Sequence, residues 1–97
     1  MKRIENIFQL REFIEDYEKL REIARKLQRY NERLCFNGLT KRQWKNKERL
    51  ENEAKEIAKK WGLTVDIQQD PRILPLYLTD ENIFYRQQGV PVFFERK

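Results

Sequence analysis

The chain has no histidine, one cysteine, and only three glycines and three prolines in 97 residues. Without histidine it lacks the side chain most often used as a general base, and the commonest metal ligand. A single thiol excludes an internal disulfide and a multi-thiolate zinc site. It suits a reducing compartment, so a cytoplasmic location is expected. No apolar run approaches the roughly 18–20 residues that span a membrane. The opening stretch MKRIENIFQL places acid and amide groups where a signal peptide has an unbroken apolar segment. A glycine-rich phosphate loop and a G-x-S-x-G turn are both missing. These absences lead us to expect a non-enzymatic protein with no metal and no cofactor.

What is present is charge and aromatic surface. Charged residues make up 38%, apolar ones 39% and aromatics 12% of the chain, which favours one folded domain over disorder. Composition changes near residue 62. Residues 1–61 hold one glycine and no proline, whereas 62–97 hold two glycines and all three prolines. The first part therefore reads as helical and the second as strand and turn. The expected fold class is α+β: a long antiparallel αα-hairpin on a small three-stranded antiparallel sheet, with a short helix before the last strand.

The first helix is expected from Ile4 or Ile7 to Leu34. Leu10, Phe13, Tyr17, Leu20, Ala24, Leu27, Asn31 and Leu34 alternate three and four apart, a heptad seam. Ile7, Phe8, Ile14, Ile23 and Tyr30 widen it. The second helix opens on a T-x-x-Q capping box, Thr40 with Gln43, and a Leu39–Trp44 hydrophobic staple. Its inward residues are Trp44, the stem of Lys47, Leu50, Ala54, Ile57, Ala58 and Trp61. Gly62 is placed as its left-handed terminator, and Glu51–Lys55 and Glu56–Lys60 as i,i+4 pairs. Residues 35–38, containing Asn37 and Gly38, form the reversal. Beyond it, residues 63–67 alternate as a strand, and Asp70 and Pro71 begin a type I turn. Residues 73–78 return, with an unpaired stretch or bulge at Pro75. A short helix over 81–88 and an edge strand over 90–94 complete the chain.

Several of these residues carry a resemblance. Cys35 with Asn37 and Gly38, then Asp70, Pro71 and Arg72, Leu76 and Tyr77, and Tyr85 with Gly89 and Val90 follow one another in a recognisable order. In this the chain is similar to a group of small phage and prophage proteins of unknown function, over roughly residues 31–92. Phe36 interrupts the group's C-N-G run, and Ile73 stands where the group has glycine. The resemblance implies a phage accessory role inside a host cell, of which antagonism of host defence is one kind.

Charge is concentrated. Residues 25–49 contain nine cations and only Glu32 and Glu48 opposing them, a net +7, while the rest of the chain sums to −2. Arg21, Arg25, Arg29 and Arg33 recur every fourth residue along the first helix. Lys41, Arg42 and Lys45 sit at the start of the second, where the helix dipole disfavours cations. Tyr30, Phe36 and Trp44 lie among them. Clustered cations interleaved with aromatics fit phosphate neutralisation plus base stacking. The expected ligand is nucleic acid or a nucleotide, held by Arg25, Arg29, Arg33, Lys41, Arg42 and Lys45 with Trp44 stacking. Arg72, at a rigid turn, is a further candidate. The competing reading of the same cluster is a solvated helical face.

Two other functional classes are open. One is an inhibitor or adaptor that binds a host protein through an edge strand or a helix stripe. The other is a carboxylate enzyme using Asp66 or Asp70, for which no metal-loop spacing exists. The first helix also carries more apolar stripe than a small sheet covers. Ile7, Leu10, Phe13, Ile14 and Tyr17 are therefore expected at a homo-oligomer interface, most simply a two-fold dimer.

Overall fold

The computed structural model describes residues 2–80 and 89–95. Two helices, α1 (Ile7–Phe36) and α2 (Lys41–Lys60), precede three strands, β1 (Leu63–Ile67), β2 (Leu76–Asp80) and β3 (Val90–Pro91). The strands form one antiparallel sheet in the order β1-β2-β3. The α+β expectation holds: two helices pack on a three-stranded antiparallel sheet. The helix expected over 81–88 lies outside the described residues.

Helix α1 begins where a side chain can satisfy its first free N–H groups. Asn6 is extended and its carboxamide oxygen accepts from the Gln9 N–H at 2.9 Å. The helix ends two residues beyond the expected Leu34, so Cys35 and Phe36 belong to its last turn. Asn37 and Gly38 both donate to the Arg33 carbonyl, at 2.8 and 3.0 Å, and Gly38 takes φ +73°. Those two bonds close the helix within the C-N-G-like segment, and the chain reverses there. Thirty residues at about 1.5 Å each give a rod of ~45 Å, which sets the 46 Å long dimension of the molecule.

Helix α2 follows its sequence signals closely. Thr40 and Gln43 form the reciprocal capping box at 3.2 and 2.9 Å, and Gly62 adopts φ +67°. Its expected i,i+4 pairs do not form as drawn. Glu51 turns back to Lys47, and Lys60 crosses the hairpin to Glu12 and Asp16. The far pairing has a reason: Asp16 is buried and needs compensating charge, whereas Glu56 is exposed and needs none.

The core lies between hairpin and sheet. Leu20, Ile23, Ala24 and Leu27 of α1 meet Leu50, Ala54 and Ala58 of α2, with Leu76, Leu78 and Val92 beneath. Ala24 and Ala54 are fully buried, and these small side chains let the helices approach. At the open end Phe13 meets the Trp61 ring edge-on at 5.2 Å. Residue 13 beside residue 61 is what an antiparallel hairpin requires.

The sheet departs from expectation in two places. The second strand starts at Leu76, three residues later than expected, because Pro75 has no N–H to give a ladder. Its carbonyl still accepts from the Gln68 N–H at 2.9 Å, and no bulge is needed. The third strand covers only Val90–Pro91, although the Val92 N–H still reaches the Leu76 carbonyl at 2.9 Å. Beyond that the Phe93 carbonyl accepts instead from the Arg21 Nε, at 2.9 Å. In the β1–β2 connection the Ile73 N–H closes the turn onto the Asp70 carbonyl at 3.3 Å, and no non-glycine described residue has positive φ. Ile73 therefore substitutes for glycine without strain.

Gly89 packs against β2. A Cβ there would come within 2.8 Å of Thr79 Oγ1, 3.0 Å of the Leu78 carbonyl and 3.1 Å of Tyr77 Cβ. Gly89→Ala is expected to lower stability by about 1–3 kcal/mol, since the backbone must shift to admit a methyl group. Urea unfolding of the variant checks this; an unchanged midpoint would contradict it.

Candidate anion-binding elbow

The basic segment is the closed end of the hairpin, and its cations divide into two groups. The first group is neutralised internally. Arg25 donates through Nε to Glu22 at 3.1 Å, with a second contact through Nη2. Hydrogen bonding to Arg25 holds the Glu22 carboxyl below the usual carboxylate range. Arg21 is held by Glu18 and the Phe93 carbonyl. Among the described residues Lys47 is the most deeply placed charge, 2% exposed, with its ammonium on Glu51 and 5.6 Å above the Trp44 ring. Its whole side chain goes inward, and not the stem alone.

The second group has no such partners. Arg29, Arg33, Lys41, Arg42 and Lys45 are exposed, as are Lys26 and Arg49, and none of the seven forms a salt bridge among the described residues. Arg29 and Arg33 lie one turn apart on the outer face of α1. Lys41, Lys45 and Arg49 lie one turn apart on the outer face of α2, about 6 Å per step. The reversal from Asn37 to Thr40 joins the end of α1 to the start of α2, so both rows lie toward the closed end of the hairpin. Past Arg49 the same face of α2 turns acidic with Glu53 and Glu56. The basic footprint is thus confined to the elbow.

The aromatic groups are placed differently from expectation. Trp44, expected both as an inward, stapled residue and as a stacking surface, is 44% exposed and so is not an inward residue. Lys47, one turn on, fills the interior slot and leaves the indole at the rim. Tyr30 packs against the core and is unavailable for stacking. Phe36 is 82% exposed at the end of α1. The elbow therefore presents Phe36 and one side of Trp44.

Arg72 is held at its turn by Asp70. Its guanidinium is paired in two contacts with Asp70, Nε to Oδ1 at 3.1 Å and Nη2 to Oδ2 at 2.9 Å. The Arg72 backbone N–H also donates to Asp70 Oδ1 at 2.9 Å, an Asx turn. These bonds, that of the guanidinium first, lower the Asp70 carboxyl from its ordinary range. Arg72 is thus a turn residue whose side chain, 86% exposed, is paired with Asp70.

Two buried amides tie α1 to the β1–β2 connection. Asn31 donates to the Gln68 carbonyl at 2.8 Å, and Gln28 to the Pro71 carbonyl at 2.7 Å. They fix the β1–β2 connection under the elbow. Asn31 was visible as the one polar member of the heptad seam; Gln28 gave no signal.

Of the residues expected at an oligomer interface, Phe13 and Tyr17 are engaged within the chain. Phe13 lies on Trp61, with Tyr17 stacked beside it at 6.2 Å, and Tyr17 packs on the core. Ile7, Leu10 and Ile14 remain 70%, 45% and 53% exposed, and Phe8 is 78% exposed. Cys35 is exposed. Among the described residues no group of three or more histidine, cysteine or acidic side chains is arranged to hold a metal, and no helix is long and apolar enough to cross a membrane.

Comparison of the chain with protein-family models, with curated proteins and with solved structures finds no match.

Proposed function

We propose that the protein is a non-enzymatic binder of an anionic ligand, and that its ligand is nucleic acid held by the elbow through phosphate contacts. The observation that carries this reading is the set of seven exposed cations of the basic segment without a salt bridge among the described residues, of which Arg29, Arg33, Lys41, Arg42 and Lys45 stand nearest the reversal in sequence. Three of them, Lys41, Arg42 and Lys45, oppose the dipole of α2 and so are unfavourable for the fold itself. Arg29 and Arg33 complete the footprint from α1, and Phe36 and Trp44 supply surfaces for base stacking.

Nucleic acid is favoured over a free nucleotide by shape. Lys45 and Arg49 line an open flank of α2 together with Glu48, Asn52, Glu53 and Glu56, all residues of one helix. Small ligands are held in concave sites, whereas a polymer binds an open surface through repeated phosphates. The setting we infer, from the resemblance of residues 31–92 to small phage proteins, is an accessory role in an infected cell. Fluorescence anisotropy with a labelled single-stranded oligonucleotide, a duplex of the same sequence and labelled ATP tests the reading. Binding of either oligonucleotide at low salt, tighter than ATP, supports it; no binding of any probe would overturn it.

The exposed row Ile7, Leu10 and Ile14 supports a second element of the proposal, a two-fold dimer through α1. Ile14→Glu is expected to convert a dimer to a monomer in native mass spectrometry while leaving the hairpin folded. A wild-type protein that is already monomeric would remove this element and leave the elbow untouched.

A further inference from the structure

The two edges of the sheet are built differently. In the antiparallel ladder, residues alternate between facing the neighbouring strand and facing away. The Gln68 N–H reaches the Pro75 carbonyl, and Leu63 stands opposite Asp80. It follows that Thr64 and Asp66 face β2, while Leu63, Val65 and Ile67 turn their N–H and C=O groups outward. On the opposite edge the Val92 N–H bonds to Leu76, which turns Pro91 and Phe93 outward. Pro91 has no N–H, and the Phe93 carbonyl is taken by Arg21. The β3 edge is thus closed by two devices that stop a further strand. The β1 edge has neither. It carries no proline, no bulge and no lysine, and its outward groups have no hydrogen-bond partner among the described residues.

We propose that the β1 edge is a docking site for an extended segment of a partner protein, which adds as a fourth, antiparallel strand. Side chains of that segment alternate with the pleat. Its apolar positions fall on the side of Leu63, Val65 and Ile67, which pack against the core beneath the helices. Its polar positions fall on the open side, beside Thr64 and Asp66, both exposed. Asp66 is the only charge on β1; its Oδ2 accepts from the Gln68 Nε2 at 2.8 Å, and a lysine or arginine on the added strand opposite it adds a cross-strand ion pair.

A second copy of this chain does not fit the same edge. Helix α2 packs directly over β1. A helix with its side chains is about 10–12 Å across, whereas paired strands stand only about 4.8 Å apart. Pairing β1 with β1 of a second copy would drive the two α2 helices into the same space. A lone strand, with no helix of its own above it, meets no such obstacle. Just ahead of the strand the Trp61 carbonyl accepts from the Lys2 N–H at 2.6 Å, so the chain already takes a main-chain donor at that end.

The test uses two labelled peptides of about six residues, alternating valine with threonine, one carrying lysine and the other glutamate at the central polar position. Binding is followed by fluorescence anisotropy, together with hydrogen exchange of the full chain. The lysine peptide is expected to bind better than the glutamate peptide and to protect the amides of Leu63, Val65 and Ile67. Val65→Pro removes an outward N–H without touching the β1–β2 ladder and should weaken binding about tenfold. Asp66→Lys should reverse the preference between the two peptides, which keeps the test decisive if the proline variant misfolds. No binding up to millimolar peptide, protection elsewhere than β1, or equal affinity for both peptides would overturn the proposal.

Discussion

Replacing Lys41, Arg42 and Lys45 together by glutamate is expected to weaken nucleic-acid binding on the order of 100-fold at low salt, because three phosphate contacts become repulsions. The same variant is expected to melt at a higher temperature than the natural protein. All three residues are exposed at the start of α2, whose first turn contains no acidic side chain. Acidic groups there interact favourably with the helix dipole, by about 0.3–1 kcal/mol each. Opposite movement of affinity and stability separates a functional elbow from a solvated face. A solvated face predicts the gain in stability with no loss of binding, since there would be no binding to lose. Anisotropy titration and thermal unfolding of one purified variant measure both quantities.

The second large effect concerns the open end of the hairpin. Asp16 is 6% exposed and accepts from the Trp61 Nε1 at 2.9 Å and the Lys60 ammonium at 3.0 Å. Burial alone would push its carboxyl up. The hydrogen bonds from Trp61 and Lys60, and the charge of Lys60, outweigh burial and hold it below its ordinary value of 3.8. Asp16→Ala leaves the buried indole N–H without an acceptor and is expected to lower stability by about 2 kcal/mol at neutral pH. Lys60 is 46% exposed and keeps Glu12, so its loss adds little. The pH dependence has a definite sign. A carboxyl with a lower pKa folded than unfolded contributes stability that is complete above the unfolded value and lost as pH falls through the folded one. The natural protein should therefore weaken from about pH 4 downward, and Asp16→Ala should weaken less steeply over that interval. Glu22 and Asp70 shift in the same direction but are common to both proteins, so the difference between the two curves isolates Asp16. Urea unfolding followed by tryptophan fluorescence at neutral and acid pH checks the result. Parallel curves would contradict it.

How much of this was legible in the residues depended on sequence distance. Helix α2 could be read almost to the residue, because Thr40, Gln43 and Gly62 act within four positions of the groups they satisfy. The seam of α1 was correct where the sheet lies beneath it, from Leu20 to Asn31. Toward Ile7 the periodicity outruns the sheet, as expected of so long a stripe, and Ile7, Leu10 and Ile14 stay exposed. The role of Asp16 was hidden, since its partners stand 44 and 45 residues away. Arg72 at its rigid turn is legible both as a ligand-reaching cation and as a turn residue, and the structure pairs its guanidinium with Asp70, two residues off. The Asx turn that pairs it with Asp70 uses the same residues that make the turn. Trp44 was placed inward because a lysine was given only its stem as buried, when Lys47 takes the interior position whole. The concentration of charge at the elbow was plain from counting. Which cations are unpaired was not, because Arg25 is answered by Glu22 while Arg29 and Arg33, on the same row, have no salt bridge among the described residues.

The salt dependence of oligonucleotide binding tests the central claim most directly. With Arg29, Arg33, Lys41, Arg42 and Lys45 on phosphates, the logarithm of the binding constant should fall linearly with the logarithm of salt concentration. For single strands each contact adds about 0.7 to the slope, giving roughly −3.5 for five. The Lys41, Arg42 and Lys45 triple variant should lower the magnitude by about 2. A slope near zero, or one unchanged in the triple variant, would contradict the account.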